Sequence, residues 1–232
     1  MKTIIITGAS SGIGKETAIK FKNEGCNVVG TYLNSKAQAI EIEREYGIKF
    51  IRCDISKKED IENLFSYTLK TFKRVDVVVA NAGLALAQKP FIDVYDDEID
   101  SLIAVNLKGT LLTNKCAVLT MLNGGGKIIN VSSVFGLYGG GCEVVYSVTK
   151  SGIIGLTKSL AEELSFSNIE VCAVAPGLVD TKMNSHLSKE DKERFIEEIG
   201  VSKVATAKEI ADFIYKISIT DKVNGEIYKI FC

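Results

Sequence analysis

Short runs of consecutive apolar, mostly β-branched residues recur along the chain and alternate with longer stretches of helical period. Continuous apolar runs of this length are typical of strands that are buried on both faces of a parallel sheet. The predicted strands are 3–7, 27–32, 48–53, 75–80, 126–132, 169–175 and 226–231. The predicted helices lie between them, at 12–24, 35–46, 57–72, 97–122, 147–166 and 207–218. This alternation predicts an α/β fold with a doubly wound parallel sheet and helices on both faces.

Composition favours one domain over residues 1–232, because no internal repeat or proline-rich linker interrupts the alternation and only two residues are proline. The formal net charge of −1 argues against a nucleic-acid partner, which usually requires a basic excess. The apolar run near the N-terminus contains three isoleucines, which is too short for a signal-peptide core or a membrane span. We therefore expect a cytoplasmic protein that binds neither nucleic acid nor membrane.

The six cysteines are scattered without a CxxC pair, and the chain has a single histidine, His186. A zinc site made from cysteine and histidine therefore has little support, and we expect no metal. Most of the cysteines lie in apolar runs and are expected to be small core residues. Since His186 lies in a charged stretch, the acid or base of any reaction is expected to be another side chain.

The first predicted strand is followed by the segment TGASSGIG, in which Gly8, Gly12 and Gly14 lead into a helix. An ordinary glycine turn between strand and helix could have this pattern. Glycines at this place also allow the backbone to approach a pyrophosphate, for which the helix N-terminus offers free N–H donors. Because ligands of such sheets bind beyond the carboxyl ends of the strands, the context favours nucleotide binding.

The spacing of these glycines resembles the TGxxxGxG loop of the short-chain dehydrogenase/reductase family. Further segments resemble the motifs of this family, in the same order along the chain: CDIS at 53–56, NAG at 81–83, VNLKGT at 105–110, NVSSVFG at 130–136, YSVTK at 146–150 and APGLVDT at 175–181. The resemblance implies a single-domain, Rossmann-type fold and a nicotinamide cofactor. It implies these cofactor-binding residues: Gly8, Ser10, Ser11, Gly12, Ile13, Gly14, Tyr32, Asp54, Ile55, Asn81, Ala82, Gly83, Tyr146, Lys150, Pro176, Gly177, Val179 and Thr181.

The same resemblance implies four catalytic residues. Tyr146 would be the general acid in the reduction of a carbonyl, and Lys150 would lower its pKa and bind the nicotinamide ribose. Ser133 would hydrogen-bond the carbonyl oxygen, and Asn106 would hold a water that relays protons to Lys150. Asp54 would bind the adenine.

The spacing of Tyr146 and Lys150 has a chemical reason, because residues four apart share one face of a helix. Lowering a phenol's pKa by three units takes about 4 kcal/mol, which one ammonium about 4 Å away can supply at an effective dielectric of about 20. The simpler alternative is a partly buried tyrosine beside a solvated lysine. Likewise, Ser132 and Ser133 could be a polar pair at a strand end, and Asn106 a packed residue inside a helix.

The end of the second predicted strand favours NADP over NAD. An acidic residue there would bind the 2′-hydroxyl of NAD and repel a 2′-phosphate, whereas this chain has Tyr32 at that position. Asn34, Ser35 and Lys36 could donate to a phosphate. Ser11 argues against NADP, because many NADPH-dependent relatives place arginine there.

The sequence predicts a reductase of a small or carrier-bound carbonyl compound and resembles the 3-oxoacyl-carrier-protein reductases. The segments at 139–150 and 180–191 also resemble the elongation factor P 5-aminopentanone reductases. An alcohol or hydroxysteroid dehydrogenase and a non-catalytic nucleotide sensor are the alternatives. Residues 178–204 are predicted to form a largely solvated substrate lid in which 183–187 face the substrate.

Apolar residues on helices 97–122 and 147–166 exceed what is needed to cover one sheet face. They are Leu102, Val105, Leu111, Leu112, Ala117, Leu119, Ile153, Ile154, Leu156, Leu160 and Leu164. A second packing surface on these helices predicts a homodimer or homotetramer. The tetramer is less expected, because the C-terminal segment VNGEIYKIFC lacks the usual Asp-Gly-Gly tail of the family.

Overall fold

A computed structural model describes residues 1–184, 187–199 and 203–230. Its main sheet has seven parallel strands in the order β3-β2-β1-β4-β5-β6-β9. These strands are β1 (Thr3–Ile6), β2 (Asn27–Tyr32), β3 (Lys49–Arg52), β4 (Val77–Ala80), β5 (Gly126–Val131), β6 (Ile169–Pro176) and β9 (Ile227–Ile230). Each coincides with a predicted strand to within two residues at either end. The order of the strands reverses between β1 and β4, which is where a doubly wound sheet opens a ligand crevice.

The helices cover both faces of this sheet. They are α1 (Gly12–Asn23), α2 (Lys36–Tyr46), α3 (Lys58–Phe72), α4 (Asp96–Leu102), α5 (Thr110–Met121), α6 (Val134–Tyr138), α7 (Val144–Glu163), α8 (Lys189–Ile199) and α9 (Ala207–Ser218). The α/β, doubly wound fold class predicted from the sequence is confirmed. No helix within the described ranges is long and apolar enough to cross a membrane.

The core consists of one apolar layer on each face of the sheet. Ile4 and Ile6 of β1 pack into the layer that contains Phe21 of α1 and Ile214 of α9. Ile5, between them, packs into the opposite layer with residues of α3, α5 and α7. Successive residues of a strand point to opposite faces, so a strand with a helix layer on each side must be apolar at every position.

Several elements differ from the prediction, among them the short helix α6, which was not predicted. The helix predicted over 97–122 is divided into α4 and α5 by a π-helical segment at Ile103–Gly109. The helix predicted over 147–166 begins at Val144 and ends at Glu163. A small second sheet pairs β7 (Val179–Asp180) with β8 (Ala205–Thr206), and the sequence pattern does not predict it because each strand has only two residues. Asn106 therefore lies in the π-helical segment, and Tyr146 lies in the first turn of α7.

Candidate active site

A cleft of about 320 Å³ opens at the carboxyl ends of the strands. All but two of the site residues predicted from the sequence line it. They are Gly8, Ser10, Ser11, Gly12, Ile13, Tyr32, Asp54, Ile55, Asn81, Ala82, Gly83, Ser133, Tyr146, Lys150, Pro176, Gly177, Val179 and Thr181. The two exceptions, Gly14 and Asn106, lie behind the cleft wall, where each has a supporting contact described below.

The loop between β1 and α1 has a backbone that only glycine adopts easily. Gly8 has a φ of +67°, and a Cβ at this residue would lie 2.9 Å from the Cα of Ala82. A Cβ at Gly14 would lie 2.2 Å from the carbonyl oxygen of Gly8, so Gly14 lets the first turn of α1 pack directly against the loop. The N-terminus of α1 therefore lines the cleft through Ser11, Gly12 and Ile13, and the free backbone N–H donors of a helix N-terminus are suited to bind an anion.

Asn81, which follows β4, fastens this loop to the sheet. Its side-chain amide donates to the carbonyl oxygens of Thr7 at 2.9 Å and Gly8 at 3.3 Å. The backbone N–H groups of Asn81 and Ala82 both donate to the hydroxyl of Thr7 at 3.0 Å. The segment NAG therefore contributes to the site by fixing the loop, in addition to lining the cleft.

Asp54 lies on the far side of the cleft, beyond β3. One of its carboxylate oxygens accepts hydrogen bonds from the backbone N–H of Ser56 at 3.1 Å and from its hydroxyl at 2.7 Å. The backbone N–H of Asp54 donates to the carboxylate of Asp60 at 2.8 Å. These bonds hold the carboxylate in a tight turn at the cleft wall.

Ser133, Tyr146 and Lys150 meet at the opposite end of the cleft. Ser133 caps the N-terminus of α6, and its hydroxyl accepts a hydrogen bond from the backbone N–H of Phe135 at 3.2 Å. The neighbouring Ser132 donates its hydroxyl to the carbonyl oxygen of Lys150 at 2.8 Å. Both serines line the cleft, and Ser132 also ties the end of β5 to α7.

The sequence predicts that Lys150 lowers the pKa of Tyr146, but in the structure this pKa is raised. Burial raises the pKa of Tyr146 to about 12, although a hydrogen bond with Ser133 lowers it and the charge of Glu143 raises it further. The Lys150 Nζ lies over the tyrosine ring, 5.6 Å from its centroid, and donates to the carbonyl oxygen of Val131 at 2.9 Å. Burial also lowers the pKa of Lys150 to about 8. Desolvation is therefore the largest cause of the pKa shift of both groups.

Asn106 lies in the π-helical segment and is fully buried. Its side-chain oxygen accepts from the backbone N–H of Leu84 at 2.8 Å, and its Nδ2 donates to the carbonyl oxygen of Leu84, also at 2.8 Å. Nδ2 also donates to the hydroxyl of Thr149 at 3.4 Å. These partners give Asn106 a positioning contact to the cleft wall, while its predicted role in holding a water stays a prediction.

Part of the predicted lid contacts the cleft. Met183 and Asn184 line it, and the amide of Asn184 donates to the carbonyl oxygen of Val179 at 2.9 Å. Residues 185 and 186, which also belong to the predicted substrate-facing segment, lie outside the described residues. The ring of Phe195 on α8 packs edge-on against Phe135 on α6, with their centroids 5.4 Å apart. α8 is therefore in contact with the helix that Ser133 caps.

Some residues that line the cleft are missed by the sequence prediction. They are Thr31, Leu33, Cys53, Leu84, Val105, Val131, Ser132 and Lys182. Most of these residues are small or apolar, or belong to a predicted strand, so the residue type alone does not indicate a role in binding or catalysis. Their position just at or after a strand end is the one signal in the sequence that could have identified them.

The fold and this cleft define a nucleotide-dependent oxidoreductase site, and comparison with known proteins identifies the family. The family model for short chain dehydrogenases matches residues 2–192. The chain therefore belongs to the short-chain dehydrogenase/reductase family, and the predictions of this family and of enzymatic oxidoreductase activity are confirmed.

Individual relatives are 3-oxoacyl-[acyl-carrier-protein] reductases. The chain is 33% identical to that of Aquifex aeolicus over 97% of this chain and 94% of the relative. It is 34% identical to that of Staphylococcus aureus, with 98% of each chain covered. A crystal structure of 3-ketoacyl-(acyl-carrier-protein) reductase from Brucella melitensis complexed with NADH superimposes with a TM-score of 0.92. It covers 99% of this chain and 96% of that chain, at 25% identity.

Proposed function

We propose that this protein is an NADPH-dependent reductase of 3-oxoacyl thioesters, with Tyr146 as its general acid. The observation that carries the proposal is the meeting of Ser133, Tyr146 and Lys150 at the end of the cleft opposite Asp54. A phenol whose pKa is raised to about 12 is protonated at neutral pH, which is the state from which a general acid must start. The absence of a carboxylate at the end of β2 argues against the alternative of an NAD-linked alcohol dehydrogenase. The assembled catalytic residues argue against a non-catalytic nucleotide sensor.

The cleft fits a nicotinamide dinucleotide. The pyrophosphate is proposed to lie against Gly8, Gly12 and the N-terminus of α1, because a Cβ at Gly8 would fill the space beside Ala82. The adenine is proposed to lie near Asp54 and Ile55, and the nicotinamide near Pro176, Gly177 and Thr181. When bound, the cofactor supplies the hydride.

The protein's own groups then handle the proton. Ser133 donates its hydroxyl hydrogen bond to the substrate's carbonyl oxygen and so stabilises the negative charge that develops there. Tyr146 gives its phenolic proton to the same oxygen. The ammonium of Lys150, held at the carbonyl oxygen of Val131, stabilises the phenolate that remains. This last role is specific to the reacting state, in which the phenolate exists.

NADPH is proposed over NADH because the end of β2 has no carboxylate. Tyr32 and Leu33 line the cleft at this point, and neither would repel a 2′-phosphate. Asn34, Ser35 and Lys36, which the sequence also nominated, are not part of the cleft lining.

A second candidate is the reduction of an amino ketone, in line with the resemblance to 5-aminopentanone reductases. Glu143 precedes Tyr146 by three residues at the start of α7, and its charge raises the pKa of Tyr146. In this candidate function, the carboxylate of Glu143 would pair with the ammonium of an amino ketone. Substitution of Glu143 by Gln would then raise KM for 5-aminopentan-2-one and leave KM for an acetoacetyl thioester unchanged.

Exposed apolar residues on α5 and α7 support the proposal of a homodimer. Leu102, Ala117, Ile153 and Leu164 belong to the protomer's core, so they cannot contribute to a second surface. Leu111 and Leu119 on α5 and Val148 on α7 remain 44%, 63% and 57% exposed. The proposed interface is therefore narrower than the sequence pattern alone indicated.

The proposed function is tested by steady-state reduction of an acetoacetyl thioester with NADPH and with NADH. We expect turnover with a higher kcat/KM for NADPH, and we expect Tyr32→Asp to reverse this preference by repelling the 2′-phosphate. No reduction with either cofactor would refute the proposed reaction, and a wild-type preference for NADH would refute the cofactor assignment.

A further inference from the structure

Arg52 lies at the last position of β3, where the register of the sheet pairs it with Tyr32 of β2. Its Nε donates to the backbone carbonyl oxygen of Leu33 at 3.4 Å. Tyr32 and Leu33 both line the cleft. The guanidinium is therefore attached to the rim of the cleft, directly beside the residue that follows β2.

The strand pattern also decides on which face of the sheet Arg52 lies. Phe50, two residues earlier on β3, packs into the same apolar layer as Ala9 of the β1–α1 loop. Residues two apart on a strand share a face, so Arg52 is on the face along which that loop runs. Tyr32 is on this face as well, with its ring centroid 6.5 Å from that of Phe50. The loop proposed to hold the pyrophosphate and the guanidinium thus lie on one side of β2.

The charge of Arg52 is not neutralised by the carboxylates around it. Arg52 is exposed, and it makes no ion pair with any residue in the described part of the chain. Asp54, the nearest carboxylate along the chain, bonds Ser56 and lies 3.9 Å from Lys57 Nζ. Glu43, on the neighbouring helix, pairs with Lys49 at 3.0 Å. Nε is used by Leu33, and neither Nη group of Arg52 has a hydrogen-bond partner among the described residues, so both are available to donate to a ligand.

We propose that Arg52 binds the 2′-phosphate of NADPH and determines the preference for this cofactor. A doubly wound sheet places the adenosine ribose at the end of its second strand, which is where the Leu33 carbonyl holds the guanidinium. A guanidinium can bind a phosphate through two parallel N–H donors. The inference rests on the proposed use of NADPH and identifies the cation that this use requires.

Calorimetry measures the binding of two pairs of ligands to the protein in the absence of substrate. The first pair is NADPH and NADH, and the second pair is 2′,5′-ADP and 5′-AMP. Arg52→Gln removes the charge, Arg52→Lys keeps it, and Arg44→Gln on the exposed side of α2 removes an equal charge elsewhere. Loss of a charge-assisted contact to phosphate is expected to weaken NADPH and 2′,5′-ADP by about ten- to one-hundred-fold. NADH and 5′-AMP should change less than about twofold, since they lack this phosphate. Arg44→Gln should change none of the four dissociation constants. The affinity of Arg52→Lys for NADPH and 2′,5′-ADP should lie between those of wild type and Arg52→Gln.

Three results would overturn the proposal. Equal weakening of NADPH and NADH in Arg52→Gln would assign Arg52 a structural role at the Leu33 carbonyl. An Arg52→Gln protein that keeps the wild-type preference for NADPH would refute the role of Arg52 and leave the proposed function standing. A wild-type protein that prefers NADH would refute the cofactor assignment and this inference together. Thermal unfolding of each variant identifies any loss of binding that arises from loss of the fold.

Discussion

The Lys150 Nζ and the Tyr146 ring are stacked one helical turn apart on α7, with Nζ 5.6 Å from the ring centroid. The carbonyl oxygen of Val131 accepts a hydrogen bond from Nζ at 2.9 Å, so the end of β5 holds the lysine in place. The phenol meanwhile has Ser133 as its hydrogen-bonding neighbour. This arrangement keeps the tyrosine protonated and places the cation behind it, ready for the charge that appears when the proton leaves.

Replacement of Tyr146 by Phe should abolish most of the reduction and leave cofactor binding intact. Only the proton donor is removed, and general acid catalysis typically contributes about 10²–10⁴ in rate. We expect a fall of this size in kcat, with a dissociation constant for NADPH within about twofold of wild type. Tyr138→Phe is the matched control, since it removes a hydroxyl from an exposed tyrosine of α6. Comparable losses in both variants would contradict the role of Tyr146.

The pH dependence of reduction should report the titration of Lys150. Its pKa is lowered by burial to about 8, so the ammonium predominates below this pH and the neutral amine above it. The pKa of Tyr146 is raised to about 12, so the phenol stays protonated over the same range. We expect kcat/KM for reduction, which reports the free enzyme, to fall as the pH rises through about 8. A profile that is flat to pH 10 would show that the charge of Lys150 is not needed.

Lys150 should also reduce the stability of the fold at neutral pH. Its pKa is lower in the folded state than the ordinary value of 10.5, so the wild type becomes more stable as the pH rises from about 8 to about 10.5. A shift of this size corresponds to about 3 kcal/mol. At pH 7, Lys150→Met should therefore be more stable than wild type. Between pH 7 and pH 11, the unfolding free energy of wild type should rise by about this amount relative to that of the variant. Urea unfolding at both pH values measures it, and a difference independent of pH would refute the prediction.

Asn106 should contribute to stability and to cofactor binding through Leu84. Alanine at this position leaves the partly buried N–H and carbonyl of Leu84 without their partner, at a cost of about 1–3 kcal/mol. The resulting shift of the Leu84 backbone is expected to weaken NADPH binding. Asn114→Ala is the matched control, because Asn114 is a buried asparagine that bonds Asn130, away from the cleft lining. Urea unfolding should show both variants destabilised, and calorimetry should show weaker NADPH binding in Asn106→Ala alone.

The exposed apolar residues of α5 and α7 should hold a homodimer together. Light scattering at micromolar concentration is expected to give at least twice the mass of one chain. The double variant with lysine at Leu119 and Val148 is expected to be a monomer, because it places two charges in the proposed interface. Ile92→Lys is the control, since Ile92 is 90% exposed and lies outside both helices. A wild-type protein that is monomeric and fully active would remove the proposal.

Much of the fold could be predicted because the central strands, such as β1 and β4, are buried on both faces, which leaves a continuous apolar run in the sequence. The π-helical segment around Asn106 could not be predicted in this way, since its apolar and polar positions resemble those of an ordinary helix. In this segment Asn106 forms two hydrogen bonds with the backbone of Leu84, which is 22 residues away along the chain. Such a contact cannot be read from the local pattern. The two-residue strands β7 and β8 left no pattern for the same reason, because only their pairing defines them.

The sequence by itself determined the glycine loop, the order of the motifs and the helical spacing of Tyr146 and Lys150. These are local properties, set by backbone conformation and by residue type at the strand ends. The tertiary structure decided the pKa of Tyr146, because desolvation depends on everything packed around the phenol and here raises that pKa. It also decided that Arg52 lies beside Leu33, since that proximity arises from the pairing of two strands that are separated by a helix.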